Sequence, residues 1–138
     1  MSNKIFKYPV LIKEIYLDFL GHMNNAMYLT LFEEARWEII NNNGYGIEKI
    51  KQTGLGPVIL EIKINYLKEI RLREEIIIET EMLNTEKKIS KIVQRMMRGN
   101  EICCIMEANF GLFDLKQRKL VMPTADWLQA IGVESNQA

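Results

Sequence analysis

The chain has 138 residues, with 18 basic and 18 acidic side chains and an apolar content of 48%. This length suits one domain over residues 1–138 with a substantial core. The charge balance argues against nucleic acid as a partner, because phosphate binding usually leaves a basic surplus. No apolar run approaches the ~20 residues of a membrane-spanning helix, and residues 1–9 lack the apolar core of a signal peptide. We therefore expect a cytoplasmic protein without a membrane span.

The first predicted elements are a strand and a long helix. Residues 5–17 indicate the strand, although their hydrophobic pattern is mixed and Pro9 favours a position at a sheet edge. The helix is expected to run from Asn24 or Asn25 to Asn42, where the Asn and Gly residues at 41–44 stop it. One side of it carries a row of apolar residues, namely Tyr28, Leu31, Phe32, Ala35 and Ile39. We expect this helix to be buried and wrapped by the rest of the chain.

The remainder of the chain predicts mostly strands. A loop over residues 44–56, with a short helical turn around 47–51, leads into four strands at 58–67, 75–83, 88–98 and 101–115. Turns are expected at 84–86 and at Gly99-Asn100, and a short amphipathic helix at 123–131. In the first of these strands, Val58, Leu60, Ile62, Ile64 and Tyr66 are expected to share one face. Gly111 marks a bulge or a close backbone approach in the last one.

This order of elements predicts an α+β fold. Short turns imply antiparallel pairing, so the helix is expected to pack against one face of an antiparallel sheet. The other face and the edges of a lone sheet need covering, which favours a homo-oligomer.

Several kinds of site are excluded by the sequence. His22 is the single histidine, and the adjacent Cys103 and Cys104 lie in an apolar run, where small buried strand residues are the expected role. We expect no metal site. No nucleotide-binding loop of the G-x-x-x-x-G-K-[ST] or G-x-G-x-x-G type is present, and no G-x-S-x-G motif of an α/β-hydrolase.

The candidate site lies at the N-terminal end of the long helix. A helix N-terminus offers unpaired N–H donors and a positive dipole end, which suit the oxygen of a carbonyl under attack. Asp18 lies a few residues upstream and supplies a carboxylate, while Gly21 permits a tight turn between them. Asp18 could equally be a turn residue, and Asn24 or Asn25 a helix cap.

The segments D-F-L-G-H-M-N-N-A-M-Y-L and F-E-E-A-R-W, at residues 18–29 and 32–37, resemble the hot-dog-fold thioesterases of the 4-hydroxybenzoyl-CoA thioesterase type. The resemblance covers roughly residues 5–120 and implies an antiparallel sheet wrapped around a central helix. It implies Asp18 as the catalytic carboxylate, acting as base or nucleophile. Backbone amides in the region of Asn24, Asn25 and Ala26 would hold the thioester oxygen. Many relatives carry an additional Asp where this chain has Tyr16.

Other residues near the signature receive supporting roles. Gly21 and His22 are expected to position the loop, His22 by ordering it or by contacting substrate, and Tyr28 is a candidate substrate contact. Glu33 and Glu34 point away from the apolar face of the helix, which favours a solvated or subunit-contact role. The basic residues Lys87, Lys88, Lys91, Arg95 and Arg98 are expected to form a solvated face, so we assign no coenzyme A contact to them.

The function expected from this resemblance is hydrolysis of an acyl-CoA thioester to a free acid and CoA. It needs no cofactor, since coenzyme A enters as part of the substrate. Relatives place the active site between subunits, so a homodimer or homotetramer is expected. Two alternatives stay open, namely an acyl-ACP thioesterase and a non-catalytic acyl-CoA-binding protein of the same fold.

Overall fold

The computed structural model describes residues 4–133. This part of the chain contains three α-helices, α1 (Asn25–Asn42), α2 (Ile47–Thr53) and α3 (Ala125–Ala130). It also contains six strands: β1 (Ile5–Leu11), β2 (Leu55–Tyr66), β3 (Glu75–Glu86), β4 (Ile89–Arg98), β5 (Glu101–Asp114) and β6 (Lys119–Val121).

The six strands form one antiparallel sheet in the order β1-β3-β4-β5-β2. The short strand β6 pairs with residues 112–114 of β5. It lies on the same side of β5 as β4, whose pairing with β5 ends at residue 110. Helix α1 packs on one face, and its buried side chains join those of the sheet in one core. The predicted antiparallel α+β architecture is confirmed.

Helix α1 has the predicted bounds. Asn24 caps its first turn, because the Asn24 side-chain oxygen accepts a hydrogen bond from the Ala26 N–H at 2.9 Å. The chain leaves the helix through Gly44, whose φ of +85° suits glycine. The residues that the helix buries are Tyr28, Leu31, Phe32, Ala35 and Ile40. Leu29 and Trp37 remain 36% and 39% exposed, so the single chain covers one side of the helix and leaves a flank open.

The first strand is shorter than predicted. β1 ends at Leu11, and a 3-10 turn at Glu14–Tyr16 follows it. Backbone hydrogen bonds of Ile12 with Arg73 and Glu74 hold the chain at this point, where it leaves the sheet and turns toward α1. The local hydrophobic pattern did not reveal this exit, because Ile12 is fully buried like a strand residue.

Three β-bulges interrupt the sheet; Cys103 is the extra residue in β5, and the other two, in β2 and β3, differ from the pattern predicted above. Leu60 is the extra residue in β2, since Ile59 pairs with Phe110 and Glu61 with Asn109. Val58 pairs with Gly111, whereas Ile59 and Ile62 pair with Phe110 and Ala108. Val58 therefore faces away from the side that carries Ile62, and the predicted five-residue face of this strand is wrong at its start. Leu83 is the extra residue in β3, and this strand continues to Glu86. The hairpin turn consequently falls at residues 87–88 and not at 84–86.

The glycine and the two cysteines of β5 have packing roles. A Cβ atom on Gly111 would come within 2.8 Å of the Lys88 carbonyl oxygen and of Leu120, so the predicted close approach is confirmed. Cys103 and Cys104 are both free and fully buried. Burial raises the pKa of the Cys104 thiol to about 12, which keeps it protonated near neutral pH. Both cysteines are packing residues, as predicted.

A buried polar network joins α1 to the sheet. Gln94 of β4 is fully buried, and its side-chain amide donates to the Phe32 carbonyl oxygen at 3.1 Å and to the Thr80 hydroxyl oxygen at 3.0 Å. The Arg36 guanidinium donates to the Gln94 side-chain oxygen at 2.8 Å. These bonds satisfy the hydrogen-bonding groups of the buried amide and hold α1 at a fixed distance from the central strands.

Candidate active site

Residues 17–24 form a tight loop in front of α1. Leu17 and Met23 form an isolated antiparallel bridge, and the Asp18 N–H donates to the His22 carbonyl oxygen at 3.0 Å. Gly21 adopts a φ of +93°, a left-handed conformation that most other residues adopt only with strain. The loop therefore closes on itself and holds Asp18 beside the residues that start the helix.

Two backbone hydrogen bonds anchor this loop to the domain. The Met23 N–H donates to the Ile70 carbonyl oxygen at 2.7 Å, and the Asn24 N–H donates to the Tyr16 carbonyl oxygen at 2.9 Å. Met23 itself is buried, with 1% of its surface exposed. The loop is consequently fixed at its helix end.

The Asp18 carboxylate uses one oxygen to hold the turn. Oδ1 accepts a hydrogen bond from the Leu20 N–H at 2.8 Å. Oδ2 lies 3.7 Å from His22 Nδ1, and no hydrogen-bond donor contacts it among residues 4–133. The side chain is 18% exposed. Asp18 thus has the turn role considered above through one oxygen, and its second oxygen has no hydrogen-bond donor in the described part of the chain.

His22 is held by the backbone. Its Nδ1 lies 3.2 Å from the Met23 carbonyl oxygen, which fits donation from this nitrogen, and its side chain is 34% exposed. This bond and the proximity of Asp18 Oδ2 keep the imidazole at the loop.

The three backbone amides at the start of α1 differ in their availability. The Asn24 N–H is bonded to Tyr16, and the Ala26 N–H is bonded to the side-chain oxygen of Asn24. The N–H of Asn25 has no acceptor within the described part of the chain, and Asn25 is exposed. Within the predicted group, Asn25 is therefore the donor that a ligand oxygen can reach.

Two tyrosines support Asn25 from the sheet. The Tyr66 hydroxyl donates to the Asn25 carbonyl oxygen at 2.9 Å, and its ring meets the Tyr28 ring edge-on with centroids 4.9 Å apart. Tyr28 is 3% exposed, whereas Tyr66 is 47% exposed. Burial raises the pKa of Tyr28 to about 12. Sequence reasoning singled out Tyr28 and missed Tyr66, whose position at the end of an alternating strand was the available signal.

The outer surface of the loop is apolar. Phe19 is fully exposed, and Ile15 and Leu20 are 82% and 72% exposed. Large apolar side chains clustered on a surface mark a place where another molecule binds. The cluster directly flanks Asp18.

The basic stretch of β4 is largely occupied by ion pairs. Arg95 contacts Glu79 and Glu81, both at 3.2 Å. Arg98 contacts Glu74 at 3.0 Å and Glu101 at 2.6 Å. These arginines belong to the charged outer surface of the sheet.

Neither a metal cluster nor a membrane span is found between residues 4 and 133. No three His, Cys, Asp or Glu side chains converge there to hold a metal ion. None of the three helices in this range is long and apolar enough to cross a membrane.

The antiparallel sheet around a long helix is the hot-dog fold of thioesterases. Residues 11–131 match the family model of the Thioesterase-like superfamily, and the chain belongs to this family. The resemblance noted from the sequence is thereby confirmed.

Relatives of known sequence and structure agree with this assignment. The chain is 27% identical over 110 residues to the long-chain acyl-CoA thioesterase FadM of Escherichia coli strain K12, covering 78% of this chain and 83% of that protein. Its fold matches protein SAV2348 from Staphylococcus aureus in complex with CoA, with a TM-score of 0.87, 13% identity and coverage of 98% and 89%. It also matches the probable thioesterase YbaW from Escherichia coli, with a TM-score of 0.81, 22% identity and coverage of 93% and 98%.

Proposed function

We propose that this protein hydrolyses acyl-CoA thioesters to free acids and CoA. The proposal depends on one observation: a carboxylate oxygen and a backbone N–H, both without a hydrogen-bond partner in the described part of the chain, lie in the loop before α1 and at the start of that helix. Asp18 Oδ2 is without a hydrogen-bond donor, and the Asn25 N–H is without an acceptor, within residues 4–133. The long-chain acyl-CoA thioesterase FadM and the CoA complex of SAV2348 support CoA esters as the substrate class.

In this mechanism the thioester oxygen accepts a hydrogen bond from the Asn25 N–H. Negative charge develops on that oxygen as the carbonyl carbon is attacked, and the positive end of the α1 dipole favours it. One such donor typically contributes about 3–4 kcal/mol to the transition state. Asn24 acts indirectly, since its side chain occupies the Ala26 N–H and so fixes the first turn.

The Asp18 carboxylate supplies the other half of the reaction. As a general base it takes a proton from water, and the resulting hydroxide attacks the carbonyl carbon. As a nucleophile it attacks that carbon itself and forms an acyl anhydride, which water then hydrolyses. Both routes expel the CoA thiolate, and both use the same oxygen of Asp18. Gly21 and His22 hold the loop in the required shape.

Thiol release from a panel of short, long and aromatic acyl-CoA esters tests this function. We expect turnover of at least one class, with free CoA and free acid formed in equal amounts. A matching series of acyl-ACP esters serves as the comparison. Faster turnover of acyl-ACP would point to a carrier-protein substrate, and binding of acyl-CoA without any release would contradict hydrolysis.

We further propose that two chains pair through β2. This strand lies at an end of the sheet order and exposes Leu60, which is 46% exposed, and Leu67 directly after it is 53% exposed. An unprotected apolar edge strand is a surface for pairing with another strand. Because Tyr66 of this strand contacts Asn25, a second chain on this edge would lie beside the candidate site.

Light scattering is expected to give at least twice the chain mass of 16.2 kDa. Leu60→Lys should shift the population toward monomer, because it places a charge in the proposed contact. Leu83→Lys is the matched control, since Leu83 is also a bulge residue and is 39% exposed on β3. A monomeric wild type would contradict the proposed pairing.

A further inference from the structure

The peptide group that carries the Asn25 N–H is held by the hydrogen bonds around it. Its own carbonyl group belongs to Asn24 and accepts a hydrogen bond from the Met27 N–H at 3.0 Å. The preceding N–H, that of Asn24, donates to the Tyr16 carbonyl oxygen at 2.9 Å. The following carbonyl oxygen, that of Asn25, accepts from the Tyr66 hydroxyl at 2.9 Å. Because a peptide group is planar, these bonds together fix the direction in which the Asn25 N–H points.

The bond from Tyr66 differs from the others because it comes from the sheet. The Tyr16 and Met27 bonds lie within residues 16–27, so they can move together with the start of the helix. Tyr66 is the last residue of β2 and lies 41 positions from Asn25 in the sequence. Its hydroxyl therefore determines where the first turn of α1 lies relative to the sheet.

The end of β2 is itself fixed on β5. Tyr66 pairs with Cys104. The N–H groups of Leu67 and Lys68, directly after Tyr66, both donate to the Cys103 carbonyl oxygen, at 2.9 and 3.0 Å. Cys103 is the extra residue of the β5 bulge, and bulges end regular pairing and redirect a chain. Tyr66 is consequently a firm support for the residue that it contacts.

The ring and the hydroxyl of Tyr66 have separate roles. The ring packs edge-on against buried Tyr28, with centroids 4.9 Å apart. A tyrosine hydroxyl keeps its proton up to about pH 10, and partial burial raises the pKa of Tyr66 further. The hydroxyl is therefore a hydrogen-bond donor throughout the neutral range. Phenylalanine at this position would keep the ring contact and remove only the hydrogen bond.

We propose that Tyr66 is a positioning residue for thioester hydrolysis, which acts through the Asn25 carbonyl group to aim the Asn25 N–H at the thioester oxygen. The inference rests on the proposed thioesterase function, because it gives Tyr66 a part in that reaction. A donor that is aimed in advance stabilises the charged oxygen of the transition state more than the neutral oxygen of the bound substrate. Loss of the Tyr66 hydroxyl should therefore lower kcat and leave KM nearly unchanged.

Tyr66→Phe tests this role through the separate effects on kcat and KM. We expect kcat for the acyl-CoA ester that the wild type hydrolyses fastest to fall about tenfold, near the upper value for one hydrogen bond. KM should change less than twofold. Unchanged kcat in a folded Tyr66→Phe enzyme, or a rise in KM alone, would overturn the proposal.

Tyr45→Phe is the matched control. The Tyr45 hydroxyl also donates to a backbone carbonyl oxygen, that of Leu55 at 3.1 Å, but it lies beyond the other end of α1. Tyr45 is 1% exposed, whereas Tyr66 is 47% exposed. Its variant should therefore lower the midpoint of urea unfolding more than Tyr66→Phe does, while keeping wild-type kcat. The two variants thus separate loss of stability from loss of positioning.

Backbone NMR relaxation on the same variants gives a readout that does not depend on activity. The order parameter of the Asn25 N–H should be near the ~0.85 of rigid backbone in the wild type, and it should fall in Tyr66→Phe but not in Tyr45→Phe. Such a fall, with no thioester hydrolysed by the wild type, would refute the proposed function but support the hold of Tyr66 on Asn25. A lower kcat with an unchanged order parameter would refute the positioning role alone, because the hydroxyl would then act directly on the substrate.

Discussion

Asp18→Asn is expected to lower kcat/KM for acyl-CoA hydrolysis about a thousandfold, within the range that general bases contribute. Asparagine keeps the side-chain oxygen that accepts from the Leu20 N–H, so the turn should survive. It replaces the charged Oδ2 with an amide group that can neither take a proton from water nor attack a carbonyl. The variant therefore separates the chemistry of this residue from its role in the turn. Steady-state thiol release measures the effect.

Asp114→Asn is the matched control for this substitution. Asp114 Oδ1 accepts from the Lys116 and Gln117 N–H groups, both at 2.9 Å, in the turn between β5 and β6. It thus has the same kind of turn bond without any place in the candidate site, and its variant should keep wild-type kcat/KM. An Asp18→Asn enzyme with more than a tenth of wild-type activity would show that another group carries the reaction.

Neither Glu33 nor Glu34 of α1 is well placed to replace Asp18 as the catalytic carboxylate. Glu33 lies eight residues beyond Asn25, or about 12 Å along the helix axis. Glu34 accepts a hydrogen bond from the Tyr8 hydroxyl at 2.6 Å on the β1 side of the helix. This bond raises the pKa of Tyr8 to about 12. Both positions are far from the Asn25 N–H that would hold the thioester oxygen.

Phe32→Ala is expected to lower the free energy of unfolding by about 3–5 kcal/mol. Phe32 is fully buried in the centre of the apolar face of α1, and its carbonyl oxygen accepts from the buried Gln94 amide. Truncation leaves a cavity between the helix and the sheet, because the hydrogen bonds of Gln94 limit how far α1 can move toward the sheet to fill it. Urea unfolding at a fixed protein concentration measures this loss, because pairing of chains would make stability depend on concentration.

Thr30→Ala on the exposed side of the same helix provides the comparison. Thr30 is exposed, and its hydroxyl lies 3.5 Å from the Ala26 carbonyl oxygen, a weak contact. Its removal should change the unfolding free energy by less than about 0.5 kcal/mol. If Phe32→Ala and Thr30→Ala cost the same, the core position of Phe32 would be refuted.

Local patterns predicted most of the fold correctly. Helix α1 has both of its predicted ends, because Asn24 caps it and the Asn and Gly residues after Asn42 stop it. The strands were also found, but the bulges at Leu60 and Leu83 were not. A bulge depends on which residue of the neighbouring strand is opposite, so a single strand's alternation does not reveal it. The same reason hid β6, which has three residues and needs β5 as its partner.

The sequence by itself determined the parts of the candidate site that lie close together along the chain. Asp18, Gly21, His22 and Asn24 act through turns and caps, which depend on local backbone conformation and short-range hydrogen bonds. Only the tertiary structure decided which amide is available, because the Asn24 N–H is taken by Tyr16 across the loop. It likewise brought Tyr66 to Asn25, since contacts between a helix and a distant strand depend on packing and not on spacing in the sequence.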